Sequence, residues 1–296
     1  MTSTALEAWT NRNRKWIFAG PALIYIALLL VGPLAYTAFL SLTDARGSIQ
    51  ADFSFVGIQN YLTALTADPR FWPAAGRTLI FTAGALIAEM ILGMVVALAL
   101  HARLKTGAFV RITFLLPLVA TPVAVAMMWL LIFEPTIGFA NEALGWLGIP
   151  AQGWISEPAT ALPTLMLVDV WQWTPMVILI LSAGLANLPQ DQQEAAMVDG
   201  ASGWNRFWHI TLPTIWPTVM AAVLLRGIDA MKTFDLLYVT KGAGGGSRHE
   251  AETLNVYAYA QNFSYNDYGA ASAISILFFA FIAIVIGILN GLGNKR

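Results

Sequence analysis

The sequence predicts an all-α integral membrane protein with six transmembrane helices. Three observations carry that prediction. Of the 296 residues, 57% are hydrophobic and only 11% are charged, whereas a soluble domain carries about 25% charged residues. Six segments, about 16–41, 78–101, 112–133, 160–184, 214–238 and 268–290, are each long enough for a helix crossing the hydrocarbon, which needs roughly 20 apolar residues. Lys and Arg are distributed unevenly over the segments that join these spans.

The first span follows Arg12, Arg14 and Lys15. Its apolar stretch exceeds the ~7–15 residues of a signal-peptide core and no A-x-A site follows, so it is expected to remain as a span. A segment of about 35 residues, 42–77, leads to span two, which carries Glu89 near its middle. Pro117 and Pro122 predict a kink in span three. Span four holds Asp169, Trp171, Gln172 and Trp173 near its centre, and span five holds Arg226, Asp229, Lys232, Thr233 and Asp235. After span five, 242-GAGGGSRH-249 reads as a flexible outer turn. Span six closes a single transmembrane domain over 1–296.

With the N-terminus placed inside, the inner segments hold nine basic residues: Arg12, Arg14, Lys15, Arg103, Lys105, Arg111, Arg206, Lys295 and Arg296. The longer outer segments hold five, Arg46, Arg70, Arg77, Lys241 and Arg248, while Arg226 and Lys232 fall inside span five. The bias places both termini in the cytoplasm, and with them the loop 185–213 between spans four and five.

That loop includes 194-EAAMVDGASGWNRFWHITLP-213. Pro189 suits the start of a helix, and the Gln-, Glu- and Ala-rich run Gln190–Val198 favours one. Asp199-Gly200 stops it, because glycine takes the left-handed turn at little cost. Ser202 can cap a second short helix, Trp204 to His209, which Leu212-Pro213 is expected to end. A short helix, a tight turn and a second short helix result. One face is small and apolar (Ala195, Ala196, Met197) and another is aromatic (Trp204, Phe207, Trp208). By composition, an amphipathic loop resting on lipid headgroups remains an alternative.

The spacing E-A-A-x3-G-x9-I-x-L-P is met here by Glu194, Ala195, Ala196, Gly200, Ile210, Leu212 and Pro213. It resembles the signature of the permease subunits of binding-protein-dependent ABC importers, in their carbohydrate-uptake branch and its MalF/UgpA-type half. The stretches 20-GPALIYIALLLVGPLAYTAFLSLTD-44, 56-VGIQNYLTALTADPRFWPAAGRTLIFT-82 and 234-FDLLYVTKGAGGG-246 extend the resemblance over nearly the whole chain. In the last, Lys241 and the extra glycines depart from the usual TxGGP-like turn. The resemblance implies that the loop is a coupling-helix (EAA) element docking on a separate ATPase, with Glu194, Ala195, Ala196, Asp199, Gly200, Leu212 and Pro213 as its coupling residues. It also implies a second, MalG-type permease, an ATPase dimer that binds the ATP and Mg, and an extracytoplasmic solute-binding protein. The setting it implies is a bacterial inner membrane, with membrane lipid around the spans, and this chain itself binds no cofactor.

Polar groups at membrane depth are costly and point to function. In the related family the substrate lies midway across the membrane on the spans flanking the loop. That places a sugar-like substrate against Asp169, Trp171, Gln172, Trp173, Asp229, Lys232, Thr233 and Asp235. Aromatic faces suit sugar rings, and Asp, Gln and Lys suit hydroxyls. The alternatives are structural. Arg226, Asp229, Lys232 and Asp235 alternate in sign at intervals of three and can neutralise one another along a helix. The tryptophans can pack on lipid or helices, and Glu89 can make an inter-helix hydrogen bond. Lys232 and Arg226 leave a substrate with an anionic group open.

Several classes are excluded or disfavoured. A net charge of −1 gives no electrostatic footprint for nucleic acid. The chain has no cysteine, and its three histidines, His101, His209 and His249, have no metal-ligand spacing. Neither G-x-x-x-x-G-K-[ST] nor G-x-S-x-G occurs, so the chain is expected to be a transport subunit and not an enzyme. An ion-gradient-driven secondary transporter is the rival reading. It calls for internal inverted repeats, which the two halves do not display.

Overall fold

The computed structural model describes residues 3–48, 53–102 and 108–293. Among these, the helices are α1 Ser3–Leu40, α2 Gln59–Leu62, α3 Phe71–Ala102, α4 Ala108–Val119, α5 Pro122–Ile132, α6 Phe139–Trp146, α7 Pro158–Ala186, α8 Gln190–Val198, α9 Gly203–Arg206, α10 Leu212–Met231, α11 Asp235–Lys241, α12 Leu254–Tyr259 and α13 Tyr268–Gly293. No strand forms among the described residues beyond two isolated bridges. Of the basic residues weighed for orientation, Arg103, Lys105, Lys295 and Arg296 lie outside the described residues.

Among the described residues, five helical stretches are long and apolar enough to cross a membrane: Asn13–Leu40, Phe71–Ala102, Pro158–Ala186, Gly203–Lys241 and Tyr268–Gly291. The third predicted span is divided into α4 and α5, where the sequence suggested a bend. Pro122 is responsible. Its ring forces the preceding residue out of the helical region, and Thr121 accordingly sits at φ −68°, ψ 143°. The opposite departure occurs after the loop. The chain was expected to stop its second short helix at Leu212-Pro213, yet it winds on from Gly203 to Met231. One widened turn, Phe207–Thr211, precedes Pro213, which therefore sits in the first turn of α10. There its missing N–H and ring break no regular helical ladder.

The fold comprises two compact units, Met1–Ala67 with Gln261–Leu277, and Asp68–Ala260 with Phe278–Arg296. In the first, α1 exposes Phe18, Ile24, Leu28 and Leu30. The chain after it folds back through polar bonds. Asn60 Nδ2 donates to the carbonyls of Ser41 at 2.9 Å and Thr43 at 2.7 Å. Arg46 pairs with Asp267 at 2.7 Å.

The second unit is built with lipid as its solvent. Ile80, Ile87, Ile91 and Val95 are all exposed on α3, while Glu89 on the same helix is 0% exposed. In water that distribution would be inverted. α3 packs along α7 and α10. The approach to α7 is close at Gly93, where a Cβ would lie 2.6 Å from Val177 Cγ1. Small residues serve this purpose in membrane helix packing.

Among the described residues, two apolar cores form in this unit. One gathers Phe81, Leu165, Val168, Leu236 and Leu237. The other gathers Ala97, Val177, Leu181, Ile215 and Val219 next to the loop between α7 and α10. Glu89 lies eight residues from both Phe81 and Ala97, about 12 Å along the helix from each. Asp169 and Gln172 likewise fall between Val168 and Val177 on α7, and Arg226 falls between Val219 of α10 and Leu236 of α11. A charged layer is thus sandwiched between two oily ones.

The run 242–249, expected as a flexible turn, is an internally bonded one. Gly246 N donates to the Lys241 carbonyl at 3.0 Å and Ala251 N to that of Gly245 at 2.8 Å. Gly245 has φ +63°, and a Cβ there would strike the Glu252 backbone. The turn folds around buried Glu252, whose carboxylate is bound by Arg70 and whose carbonyl accepts from Arg77 at 3.1 Å. Lys241, the departure from the family pattern, bonds the Ile155 carbonyl at 2.8 Å and Glu250 at 2.6 Å.

Candidate functional site

The charged layer centres on Arg226. Its Nε lies 2.7 Å from Glu89 Oε2 and its Nη2 3.0 Å from Glu89 Oε1, a two-bond fork between α10 and α3. Nη2 also contacts Asp169 of α7, and Nη1 lies 3.3 Å from Asp229. The guanidinium lies 5.2 Å from the centroid of the Trp173 ring. Arg226 and Glu89 are 0% exposed and Asp169 1%. Glu89 therefore makes the inter-helix hydrogen bond expected from the sequence, here as an ion pair with Arg226.

The self-neutralising ladder of span five does not extend as a helix would extend it. α10 ends at Met231, the chain unwinds through 232–234, and α11 begins at Asp235. Only the Arg226–Asp229 step is an ion pair, and it is the longest of the Arg226 contacts. The Lys232 carbonyl freed by the break accepts from Asn255 Nδ2 at 2.7 Å.

Beside this break lies a cavity of about 280 Å³. Asp169, Gln172, Trp173, Asp229, Lys232, Thr233 and Asp235 line it, with Pro122, Phe234 and Leu236. Two helix interruptions meet there. Pro122 opens α5, and Gln172 Nε2 donates to the Ala120 carbonyl that this break leaves without a helical partner, at 3.3 Å. Trp171, two residues from both Asp169 and Trp173, faces away from the cavity. Its ring packs edge-on against Trp129, centroids 5.5 Å apart. An aromatic cluster adjoins the cavity through Phe234, which stacks on Tyr238 at 5.0 Å and meets Tyr259 at 4.9 Å. Sequence reading missed Phe234 and Tyr259. Neither carries charge, and Tyr259 comes from α12, whose proximity only the fold reveals. Glu89 and Arg226 are each conspicuous in the sequence, but their partnership spans 137 positions and has no local signal.

The second site is the loop. α8 covers Gln190–Val198 as the composition predicted, and Gly200 takes φ +76°. The Ala201 N–H returns to the Ala196 carbonyl at 2.9 Å and that of Gly200 to Met197 at 3.1 Å, which closes the helix end. Ser202 Oγ accepts from Asn205 N at 3.3 Å, capping α9. Glu194, Ala195, Asp199, Gly200 and Pro213 are exposed, while Ala196 and Leu212 are partly buried. Gln193 Nε2 donates to Thr211 Oγ1 at 3.1 Å and holds α8 against the start of span five. Glu194 also lines a groove of about 1380 Å³ with Met197, Trp204, Phe207 and Met94. Among the described residues no group of His, Cys, Asp and Glu is arranged to hold a metal ion.

Within the second unit, long apolar helices that enclose a charged layer and a cavity with charged side chains in its wall, joined by an exposed helix-turn-helix, define a membrane transport subunit. The chain belongs to the family of binding-protein-dependent transport system inner membrane components, whose model matches residues 71–296. It is 36% identical over 262 residues, 88% of this chain and 87% of the relative, to the trehalose/maltose transport system permease protein MalF of Thermococcus litoralis. It is 32% identical over 289 residues, 96% of this chain and 91% of the relative, to the trehalose transport system permease protein SugA of Mycobacterium tuberculosis. Its fold matches a chain in the crystal structure of a bacterial alginate ABC transporter in complex with its alginate pentasaccharide-bound periplasmic protein. The TM-score is 0.81 at 19% identity, covering 97% of both chains.

Proposed function

We propose that this chain forms half of the translocation pore of an ATP-driven importer for a sugar or sugar derivative in a bacterial inner membrane. The observation that carries this is the cavity between spans four and five. It brings Asp169, Gln172, Asp229, Lys232, Thr233 and Asp235 together with Trp173, at the level of the charged layer between two apolar cores. The trehalose and maltose systems named among the relatives support a saccharide as cargo. A MalG-type permease completes the pore, an extracytoplasmic binding protein delivers the sugar, and an ATPase dimer binds ATP and Mg.

The loop is the handle for that ATPase. Glu194, Ala195, Ala196, Asp199 and Gly200 form its contact face, with Leu212 and Pro213 fixing it to span five. Exposed small residues let a partner backbone approach closely, and the exposed carboxylate gives it a charge to pair with. An ion-gradient carrier would leave this face without a task. Uptake by vesicles holding the assembled complex is therefore expected to require ATP and to survive collapse of the ion gradients by an ionophore. Uptake that follows the gradient without ATP would support the rival mechanism.

The orientation proposed is six spans, α4 with α5 supplying the third, and both termini in the cytoplasm. The absence of native cysteine makes the test clean. Cysteines replacing Ser48 and Ser247 are expected to react with a membrane-impermeant maleimide on intact cells, and one replacing Ser202 only after lysis. Labelling at Ser202 from outside would reverse the topology.

A further inference from the structure

We propose that the cavity is an anion-excluding filter that admits uncharged polyhydroxylated solutes; this rests on its reading as part of the translocation route. A guanidinium beside a substrate cavity is ordinarily the group that receives a carboxylate or phosphate, because its forked donors match them. Arg226 is not available for that. It is 0% exposed, and its Nε, Nη1 and Nη2 are all taken by carboxylates: Glu89 by the fork, then Asp169 and Asp229.

What faces the cavity is the opposite charge. The Asp229 side chain is 44% exposed, and Asp235 is exposed beside it. Lys232 is the one cation among the lining residues, three positions from each of these aspartates. On the cavity wall the carboxylates of Asp229 and Asp235 stand against the single cation Lys232, while the buried Glu89 and Asp169 are taken up by the buried Arg226. A cleft lined by an excess of one sign of charge focuses its field on any ion that enters. An anion is repelled. An uncharged sugar is not, and its hydroxyls can donate to Asp229 and Asp235 and accept from Lys232. Trp173, packed near Arg226, offers ring surface for a sugar face. At about 280 Å³ the cavity is near the lower end of ligand pockets, roughly 300 Å³, which suits a small saccharide.

The charge of the cavity can be read without knowing the cargo. Thr233→Cys in the assembled transporter, with cysteine-free partners, supplies one thiol in the cavity wall. Its reaction rates with cationic, anionic and neutral methanethiosulfonates are compared with those of a free thiol in solution, with and without ATP. The cationic-to-anionic ratio is expected to exceed the free-thiol ratio by about tenfold or more. Adding Asp229→Asn with Asp235→Asn should lower it, and adding Lys232→Met should raise it. The lysine variant keeps the test decisive if the double aspartate variant fails to accumulate. A ratio at or below the free-thiol value overturns the filter while leaving the route intact. A thiol that not even the neutral reagent reaches, in either nucleotide state, overturns the route and the filter with it.

Discussion

Arg226→Met is expected to remove most of the permease from the membrane. The change preserves length and apolar volume but leaves Glu89 and Asp169 facing each other, both buried, with no cation between them. Removing one partner of a buried ion pair costs about 3–5 kcal/mol, a large share of the ~5–15 kcal/mol by which a folded protein is stable. Arg226 also joins α10 to α3 and α7 at the one polar layer between the two apolar cores, so the three helices lose their common anchor. The triple variant Arg226→Met, Glu89→Gln, Asp169→Asn removes all three charges together and should recover much of the lost protein, since neutralising an entire buried network can be close to neutral. Fluorescence-detected size exclusion of a tagged permease checks both. Wild-type accumulation of Arg226→Met alone would show that the cluster does not hold the fold.

The second large effect falls on the loop and is of a different kind. Glu194→Ala and Gly200→Val should both leave the permease inserted at normal levels and abolish transport. Gly200 has φ +76°, and nothing lies within 4 Å of where its Cβ would be. Valine therefore meets no clash; its penalty is the backbone conformation, which a β-branched residue rarely adopts. The turn must open, and the angle between α8 and α9 changes. Glu194 is exposed, so its loss costs the isolated chain little. Losing one partner of a desolvated charge pair at the ATPase would cost about 2–5 kcal/mol of association. Co-purification of the ATPase with the tagged permease should fall in both variants. Normal co-purification with normal uptake would end the coupling role.

The loop was legible because its determinants are local. Gln190–Val198 states its helix by composition, Gly200 states its turn, and Ser202 states its cap, so a window of a dozen residues contains the whole device. The lining of the cavity was legible in part for the same reason, because membrane depth makes each polar residue conspicuous. What sequence could not give is pairing. The regular spacing of Arg226, Asp229, Lys232 and Asp235 suggested one continuous helix, but the backbone unwinds at 232–234 and Arg226 turns to α3 and α7 instead. Trp171 and Trp173 look equivalent in a list. Two residues along a helix rotate the side chain by about 200°, which puts one toward the cavity and the other on Trp129. The passage through Pro213 was hidden by a widened turn, a feature with no residue signature of its own.

ATP hydrolysis by the assembled complex, with and without the sugar-loaded binding protein, tests the coupling of cavity to ATPase most directly. In the wild type the loaded binding protein should raise hydrolysis severalfold, and Glu194→Ala complexes held together at high protein concentration should lose that rise while keeping the basal rate. Stimulation that survives unchanged in Glu194→Ala and in Gly200→Val would contradict the account.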